Sequence, residues 1–333
     1  MRKLFLLLCA VTICFATYLS ICPTFASASA VAEIAMELTT GTTLCERNAD
    51  AKLPMASTTK IMTAIIIIED CDLDEVITVD ARAVGVEGSS IYLKKDEQID
   101  IKDLLYGLML RSGNDSATAL AIHHSGSIEK FVDVMNSRAK TIGADDTSFA
   151  NPSGLPDENH YTTARDLCKI ACYAMRNEIF KNVVGTKNYT GKFRSYVNKN
   201  KMLTNCEGAN GVKTGYTVKA GRCLVSSCER EGMDIVSVVL NCPEMYERSC
   251  EIFDECFSKY TLVKIDENKV FMSDKVLCKV KNTCNLVTKK DKILDFNVKP
   301  IEKAKKNKSE GAVAILEIKD QNGLILEEKL YSI

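Results

Sequence analysis

The sequence predicts an α+β fold: an antiparallel sheet with helices, followed by a small all-β domain. Three observations carry this. A strand pattern with a turn opens the chain just past residue 30, helical periodicity fills its middle, and three further strand patterns follow from Gly211. A sheet assembled from both ends of a segment, with helices between, is neither doubly wound nor all-β. At 333 residues the chain also exceeds the ~250 residues at which single cores tend to split, so the expected division is 1–30 as an export signal, 31–260 as the main domain and 261–333 as the small β domain.

Val31 to Leu38 alternates apolar and polar residues as a half-buried strand does, and Thr39-Thr40-Gly41-Thr42 supplies the turn to a second strand. After Pro54, Ser57-Thr58-Thr59-Lys60 leads into Ile61, Met62, Ala64, Ile65 and Ile68, an apolar run at helical spacing that predicts a buried helix. Three helical stretches follow between Ile101 and Lys140, broken at Ser112-Gly113-Asn114 and Ser125-Gly126. Another spans Thr163 to Arg176, with Thr163 and Asp166 at capping-box spacing. Gly211–Thr217, Arg222–Cys228 and Met233–Asn241 read as strands, and a helix begins near Glu244. Beyond it, Lys-rich short strands are expected at Val270–Met272, Val276–Val280, Ala312–Ile318 and Leu324–Leu330.

Composition narrows the compartment and the partners. Arg2 and Lys3 precede an apolar run from Leu4 to about Ile21, and Phe25-Ala26-Ser27-Ala28-Ser29-Ala30 offers small-x-small cleavage sites, so the chain reads as exported. The run also approaches the length of a membrane anchor; the paired small residues favour cleavage. The 43 basic and 44 acidic side chains leave a formal net charge of −1, which excludes a nucleic-acid partner held by phosphate neutralisation. Fifteen cysteines lack any C-x-x-C pairing and read as scattered, mostly buried small hydrophobes rather than a zinc site or a disulfide framework. No metal and no cofactor are expected.

Three short motifs bear chemistry. In S-x-x-K, Ser57 and Lys60 stand at i and i+3 and share a helix face, which puts a nucleophile beside a base. Lysine removes a proton only when neutral. Bringing its amine from about 10.4 toward 7 takes on the order of 4 kcal/mol, which burial and a second nearby cation would supply. Lys213-Thr214-Gly215 offers that cation: Lys213 and Thr214 are suited to grip a carboxylate from a strand edge, and Gly215 lets a ligand backbone approach. Ser112 and Asn114, at the break between helices, are suited to relay a proton and to bond a substrate amide. A Ser-His-Asp hydrolase has three histidines to draw on, but no G-x-S-x-G elbow is present.

S-x-x-K, S-x-N and K-T-G in this order form the motif set of penicillin-binding proteins. The chain resembles the low-molecular-mass penicillin-binding proteins of the D-alanyl-D-alanine carboxypeptidase type, serine peptidase family S11. The likeness includes residues 54–64, 103–115, Asn151-Pro152-Ser153-Gly154-Leu155 and 211–217. It implies a β-lactamase/DD-peptidase-like main domain and an enzyme that releases the terminal D-alanine of peptidoglycan pentapeptide stems through an acyl-Ser57. Ser57, Lys60 and Ser112 would then be catalytic, with Asn114, Lys213, Thr214, Gly215, Tyr216 and Arg248 binding the substrate and the backbone N–H groups of Ser57 and Tyr216 forming an oxyanion hole. Covalent inhibition by β-lactams follows from the same ester. Transpeptidase or endopeptidase action, and a penicillin-recognising sensor, share these motifs. Related chains often end in an amphipathic helix, whereas Tyr331-Ser332-Ile333 closes a strand pattern here, so peripheral membrane contact is the membrane association the sequence allows. His160 is expected to fix a loop.

Overall fold

The computed structural model describes residues 30–273, 276–301 and 311–333; residues 1–29 of the expected signal lie outside them. The main sheet is antiparallel, in the order β2-β1-β9-β8-β7. It is made of β1 (Ala32–Glu37), β2 (Thr43–Arg47), β7 (Ala209–Thr217), β8 (Gly221–Arg230) and β9 (Met233–Leu240). Two short hairpins, β3 (Val76–Thr78) with β4 (Gln98–Asp100) and β5 (Asn188–Thr190) with β6 (Ser195–Val197), lie among the helices in sequence. The helices are α1 (Lys60–Asp70), α2 (Ile101–Leu110), α3 (Asn114–Ser125), α4 (Ile128–Ile142), α5 (Ala164–Met175), α6 (Glu178–Gly185), the single turn α7 (Met202–Asn205) and α8 (Met245–Lys259).

One departure from the sequence reading sets the architecture. β1 is buried at all six positions instead of half-buried, because helices cover both faces of the sheet. Ile34 and Met36 belong to the core shared with the α1–α6 layer, and Ala35 to the core under α8. The polar positions that produced the alternation are paired: Glu37 accepts hydrogen bonds from the Thr39 and Thr40 backbone N–H groups, and Glu33 meets Arg248. Buried carboxylates are tolerated when bonded in this way.

α1 is the central post of the helical layer. Every residue from Lys60 to Ile68 is buried, as expected of a helix apolar all round, and it contacts α2, α3, α5 and α6. Local signals fix the neighbouring helix starts. Asp100 accepts from the Asp103 N–H at 2.6 Å to open α2, and Thr163 accepts from the Asp166 N–H at 3.1 Å to open α5. Among the twelve cysteines described none is in a disulfide; the Cys45 and Cys256 sulfurs stand 3.9 Å apart.

α8 runs directly into β10 (Tyr260–Ile265), which pairs with β13 (Cys284–Lys289). A separate sheet follows in the order β11-β12-β16-β15-β14, from β11 (Phe271–Ser273), β12 (Val276–Val280), β14 (Asp295–Pro300), β15 (Ala314–Asp320) and β16 (Gly323–Ser332). Ile265, Cys278, Val280, Leu316, Ile318 and Leu330 form its own core. The sequence reading missed β10, β13 and β14. β14 is an edge strand exposed at five of six positions, so it has no buried face to generate a period-two signal.

Candidate active site

The site forms where the start of α1 meets β7. Ser57 lies on a single 3-10 turn, Ala56–Thr59, whose last residue leads into Lys60. β7 packs against this turn, and the approach requires glycine: a Cβ on Gly215 would stand 3.0 Å from the Ser57 nitrogen and 3.1 Å from the Met55 oxygen. The loop Asn151-Pro152-Ser153-Gly154 closes on the same turn from the other side. Asn151 Oδ1 accepts from the N–H groups of Ser153, Gly154 and Leu155. Gly154 has φ of +90° and no room for a side chain, since a Cβ would fall 1.9 Å from the Ala56 oxygen.

Lys60 is 0% exposed. Its Nζ donates to Ser57 Oγ at 3.0 Å, Asn114 Oδ1 at 2.7 Å and the Ser153 carbonyl at 2.6 Å. Two of these partners, an amide oxygen and a backbone carbonyl, are pure acceptors; only Ser57 can also donate. A neutral Lys60 amine therefore keeps both carbonyl bonds and turns its lone pair to the Ser57 hydroxyl. The electrostatics favour that state: burial, followed by the charge of Lys213, pushes the Lys60 amine well below the ordinary lysine value, against a weaker pull from Asp115. Asp115 is otherwise engaged, accepting from the Ile91 and Leu93 N–H groups and from the Ser90 hydroxyl, and so holds the 87–93 loop to α3.

Lys213 is 2% exposed and donates to the Thr214 carbonyl at 2.9 Å. Burial, with the Lys199 charge second, brings it down to about 7. Neither buried lysine has a carboxylate within ion-pair distance among the described residues. Asn114 bridges the walls, accepting from Lys60 and donating Nδ2 to the Glu87 carbonyl at 2.6 Å.

Two grooves meet at Ser57 and share Ser89 and Tyr216. One, of about 450 Å3, is lined by Ser112, Lys199, Thr214, Gly215, Arg222 and Tyr246. The other, of about 520 Å3, is lined by Asn114, Glu87, Leu155, Pro156, Val218 and Lys219. Ser57, Lys60, Ser112, Asn114, Lys213, Thr214, Gly215 and Tyr216 thus converge from three separate stretches of chain.

Arg248 does not join them. It stands on α8, with Nε and Nη2 each 3.0 Å from the two oxygens of Glu33 and Nη1 2.9 Å from Glu251, and it lines neither groove. Its guanidinium forms a bidentate pair with the nearly buried Glu33, so the expected grip on a substrate carboxylate would require Arg248 to leave that pair. The cations that line the groove are Lys199 and Arg222, which the sequence reading did not select. Their only signal was position, within fifteen residues of Lys213 and on either side of it. The Ser153 carbonyl was likewise missed; the Asn-Pro-Ser-Gly turn marked the loop but not its bond to Lys60.

His160 is tied to the nucleophile turn. The Ala150 N–H donates to Nδ1 at 3.0 Å, which places the imidazole proton on Nε2, 2.7 Å from Thr59 Oγ1. Thr59 in turn donates to the Ala56 carbonyl at 2.8 Å. Burial keeps this histidine neutral, lowered to about 4. Its ring therefore braces the turn and does not act on Ser57. No group of three or more metal-ligating side chains occurs among the described residues, and none of their helices is long and apolar enough to cross a membrane.

A half-buried Ser57 on the turn before the central helix, beside the buried Lys60 that opens the helix and facing a Lys-Thr-Gly strand, is the arrangement of a serine peptidase. The family model described as D-alanyl-D-alanine carboxypeptidase, peptidase S11, matches residues 21–244, and the chain belongs to this family. It is 33% identical over 261 residues to the D-alanyl-D-alanine carboxypeptidase DacF of Bacillus subtilis, an alignment covering 74% of this chain and 66% of that relative. The crystal structure of the D-alanyl-D-alanine carboxypeptidase DacD from Francisella tularensis superposes with a TM-score of 0.73 at 26% identity, covering 91% of this chain and 92% of that one. A variant of a Streptomyces DD-transpeptidase gives 0.66 at 34% identity, covering 69% and 98%.

Proposed function

We propose that the protein is an exported serine-type D-Ala-D-Ala carboxypeptidase that trims peptidoglycan pentapeptide stems, with residues 31–260 as the chemical domain and 261–333 as a separate β domain. Ser57 Oγ attacks the carbonyl of the penultimate D-alanine while its proton passes to the neutral Lys60 amine. The oxyanion is held by the backbone N–H groups of Ser57 and Tyr216, a contribution whose loss typically costs about 10²–10³ in rate. Collapse breaks the amide bond, the leaving D-alanine takes a proton relayed through Ser112, and water then cleaves the Ser57 ester. Asn114 positions the substrate amide. The terminal carboxylate lies toward Thr214 and Lys213, with Lys199 and Arg222 on the same wall.

The observation that carries this reading is the bonding of Lys60: two obligate acceptors leave its lone pair one partner, the Ser57 hydroxyl. A β-lactam ring amide would acylate Ser57 by the same step and, without a departing fragment, block the water. The substrate is extracytoplasmic, in keeping with the exported leader. A second reading, transfer of the acyl group to an amine instead of water, is favoured by the likeness to the Streptomyces DD-transpeptidase; it needs the same residues.

The test is release of D-alanine from diacyl-Lys-D-Ala-D-Ala by the purified chain beside Ser57→Ala. Release by the first and none by the second is expected; no release by either, or equal release by both, contradicts the assignment.

A further inference from the structure

The main domain is closed by two elements far apart in sequence. β2 is an edge strand of the sheet, and α8, the last helix, packs against it. Where they touch, Cys45 of β2 and Cys256 of α8 have their sulfurs 3.9 Å apart. Neither thiol donates to a backbone carbonyl among the described residues. Other cysteines of the domain do: Cys228 donates to the Glu207 carbonyl at 3.2 Å, Cys168 to that of Val236 at 3.5 Å and Cys223 to that of Ala220 at 3.7 Å. Those three behave as satisfied core thiols, whereas Cys45 and Cys256 face each other.

The contact is held from both ends of the helix. Upstream, Arg248 meets the two oxygens of Glu33 at 3.0 Å each, and Glu33 stands opposite Arg47 of β2. Downstream, the Tyr260 hydroxyl donates to the Leu44 carbonyl at 3.2 Å, one residue from Cys45. The two thiols differ in access: Cys45 is half-buried and Cys256 is 1% exposed. They differ in acidity too. The Cys256 thiol donates to Cys45 and holds it below the ordinary thiol value, against burial and the charges of Glu33 and Glu255; the same bond, with burial, raises Cys256.

We propose that Cys45 and Cys256 form a thiol–disulfide exchange site, at which an organic disulfide oxidises the pair to a cross-link that fastens the last helix of the main domain to its edge strand. The Cys45 thiolate, the accessible one, attacks a sulfur of the reagent RS–SR and expels one thiolate. The Cys256 thiolate then attacks the Cys45 sulfur of the mixed disulfide and expels the other. The two thiol protons end on the departing groups, and the two electrons given up by the cysteines reduce RS–SR to two RSH. Rotation about the Cα–Cβ bonds brings the sulfurs to the ~2.05 Å of the new bond. The link spans 211 positions, so its loop contains every residue of the Ser57 site and leaves the C-terminal β domain outside. It therefore restricts the unfolded chain of the main domain alone. Export, as proposed above, puts the pair where such bonds persist; the exchange itself does not depend on the carboxypeptidase reading.

The test takes the purified chain, reduced and freed of reductant, through incubation with glutathione disulfide, alkylation and peptide mapping by mass spectrometry. A peptide pair joined through Cys45 and Cys256 is expected. The melting temperature should rise by about 5–15 °C over the reduced protein, the shift typical of one disulfide in a domain of this size, and return on addition of dithiothreitol. Cys45→Ser and, separately, Cys256→Ala should show neither the link nor the rise. Any product in which the two cysteines are not joined to each other, whether alkylated, glutathionylated or linked to Cys206, Cys228 or Cys250, overturns the proposal, as does a 45–256 link that leaves the melting temperature unmoved. The mapping is made on the unmodified chain, so it decides the matter even where a variant fails to fold.

Discussion

Charge is handled in opposite ways at the two ends of this molecule. In the C-terminal sheet, Glu317 is flanked by Lys299 at 2.6 Å and Lys319 at 2.8 Å, with both lysines substantially exposed. At the Ser57 cleft, Lys60 and Lys213 are buried and have no carboxylate partner among the described residues; burial lowers both amines, with Lys213 adding to the push on Lys60 and Lys199 to that on Lys213. Paired, solvated charge costs little and contributes little. Two unpaired buried amines cost stability, and a fold keeps such an arrangement only where the depressed amine is used. The difference separates the chemical part of the chain from the part that is solely well packed.

The sharpest way to break this contrast is Lys60→Gln. It keeps a donor toward Asn114 and Ser153 but removes the base, so kcat is expected to drop by about 10²–10⁴ with no loss of melting temperature. Activity within tenfold of the unmodified protein would return Lys60 to a structural role.

Lys213→Met should separate function from stability. The lost carboxylate grip is expected to lower kcat/KM by about 10–100-fold, the range of a charge-assisted hydrogen bond. The folded Lys213 amine is lowered to about 7, so between that pH and the ordinary 10.5 the unfolded chain binds the extra proton and stability rises with pH. The variant should lose this slope and be more stable than its parent at pH 6, by urea unfolding. A parent curve flat across the window would contradict the burial argument.

His160→Phe acts on the brace instead of the chemistry. It leaves the Ala150 N–H without its partner, at about 1–3 kcal/mol, and removes one of the two hydrogen bonds of the Thr59 hydroxyl, which keeps the Ala56 carbonyl; the change is read as a lower urea midpoint with a smaller loss of kcat. Its shape also crowds Phe149, whose ring already meets the imidazole edge at 5.9 Å. The smallest effect is expected from Lys299→Ala in the C-terminal sheet: D-alanine release unchanged, and a melting temperature within about 2 °C of the parent. A large change in release would mean that the two regions are coupled.

What the sequence made legible follows from range. Ser57 and Lys60 share one turn, so their meeting is a matter of local geometry and needed no tertiary knowledge. The caps at Thr163 and the break at Ser112–Asn114 are local too. The bonds that finish the site are not: Lys60 reaches Asn114 and Ser153, 54 and 93 positions away, and no spacing rule encodes those pairs. The pairing of Arg248 was invisible for the same reason, since Glu33, its partner, lies 215 positions upstream. β1 was misjudged because Glu33 and Glu37 look like a solvent face, while both carboxylates are in fact bonded beneath helix and turn. Polarity alone does not distinguish an exposed carboxylate from a satisfied buried one.

The neutral state of Lys60 can be measured through the pH dependence of single-turnover D-alanine release at saturating peptide, where the bound carboxylate keeps Lys213 protonated. The rate is expected to rise with pH and level off well below 10.5, as the depressed Lys60 amine loses its proton. A rate that keeps climbing until it reaches the ordinary lysine range would show that Lys60 is charged at neutral pH, and would contradict its role as the base for Ser57.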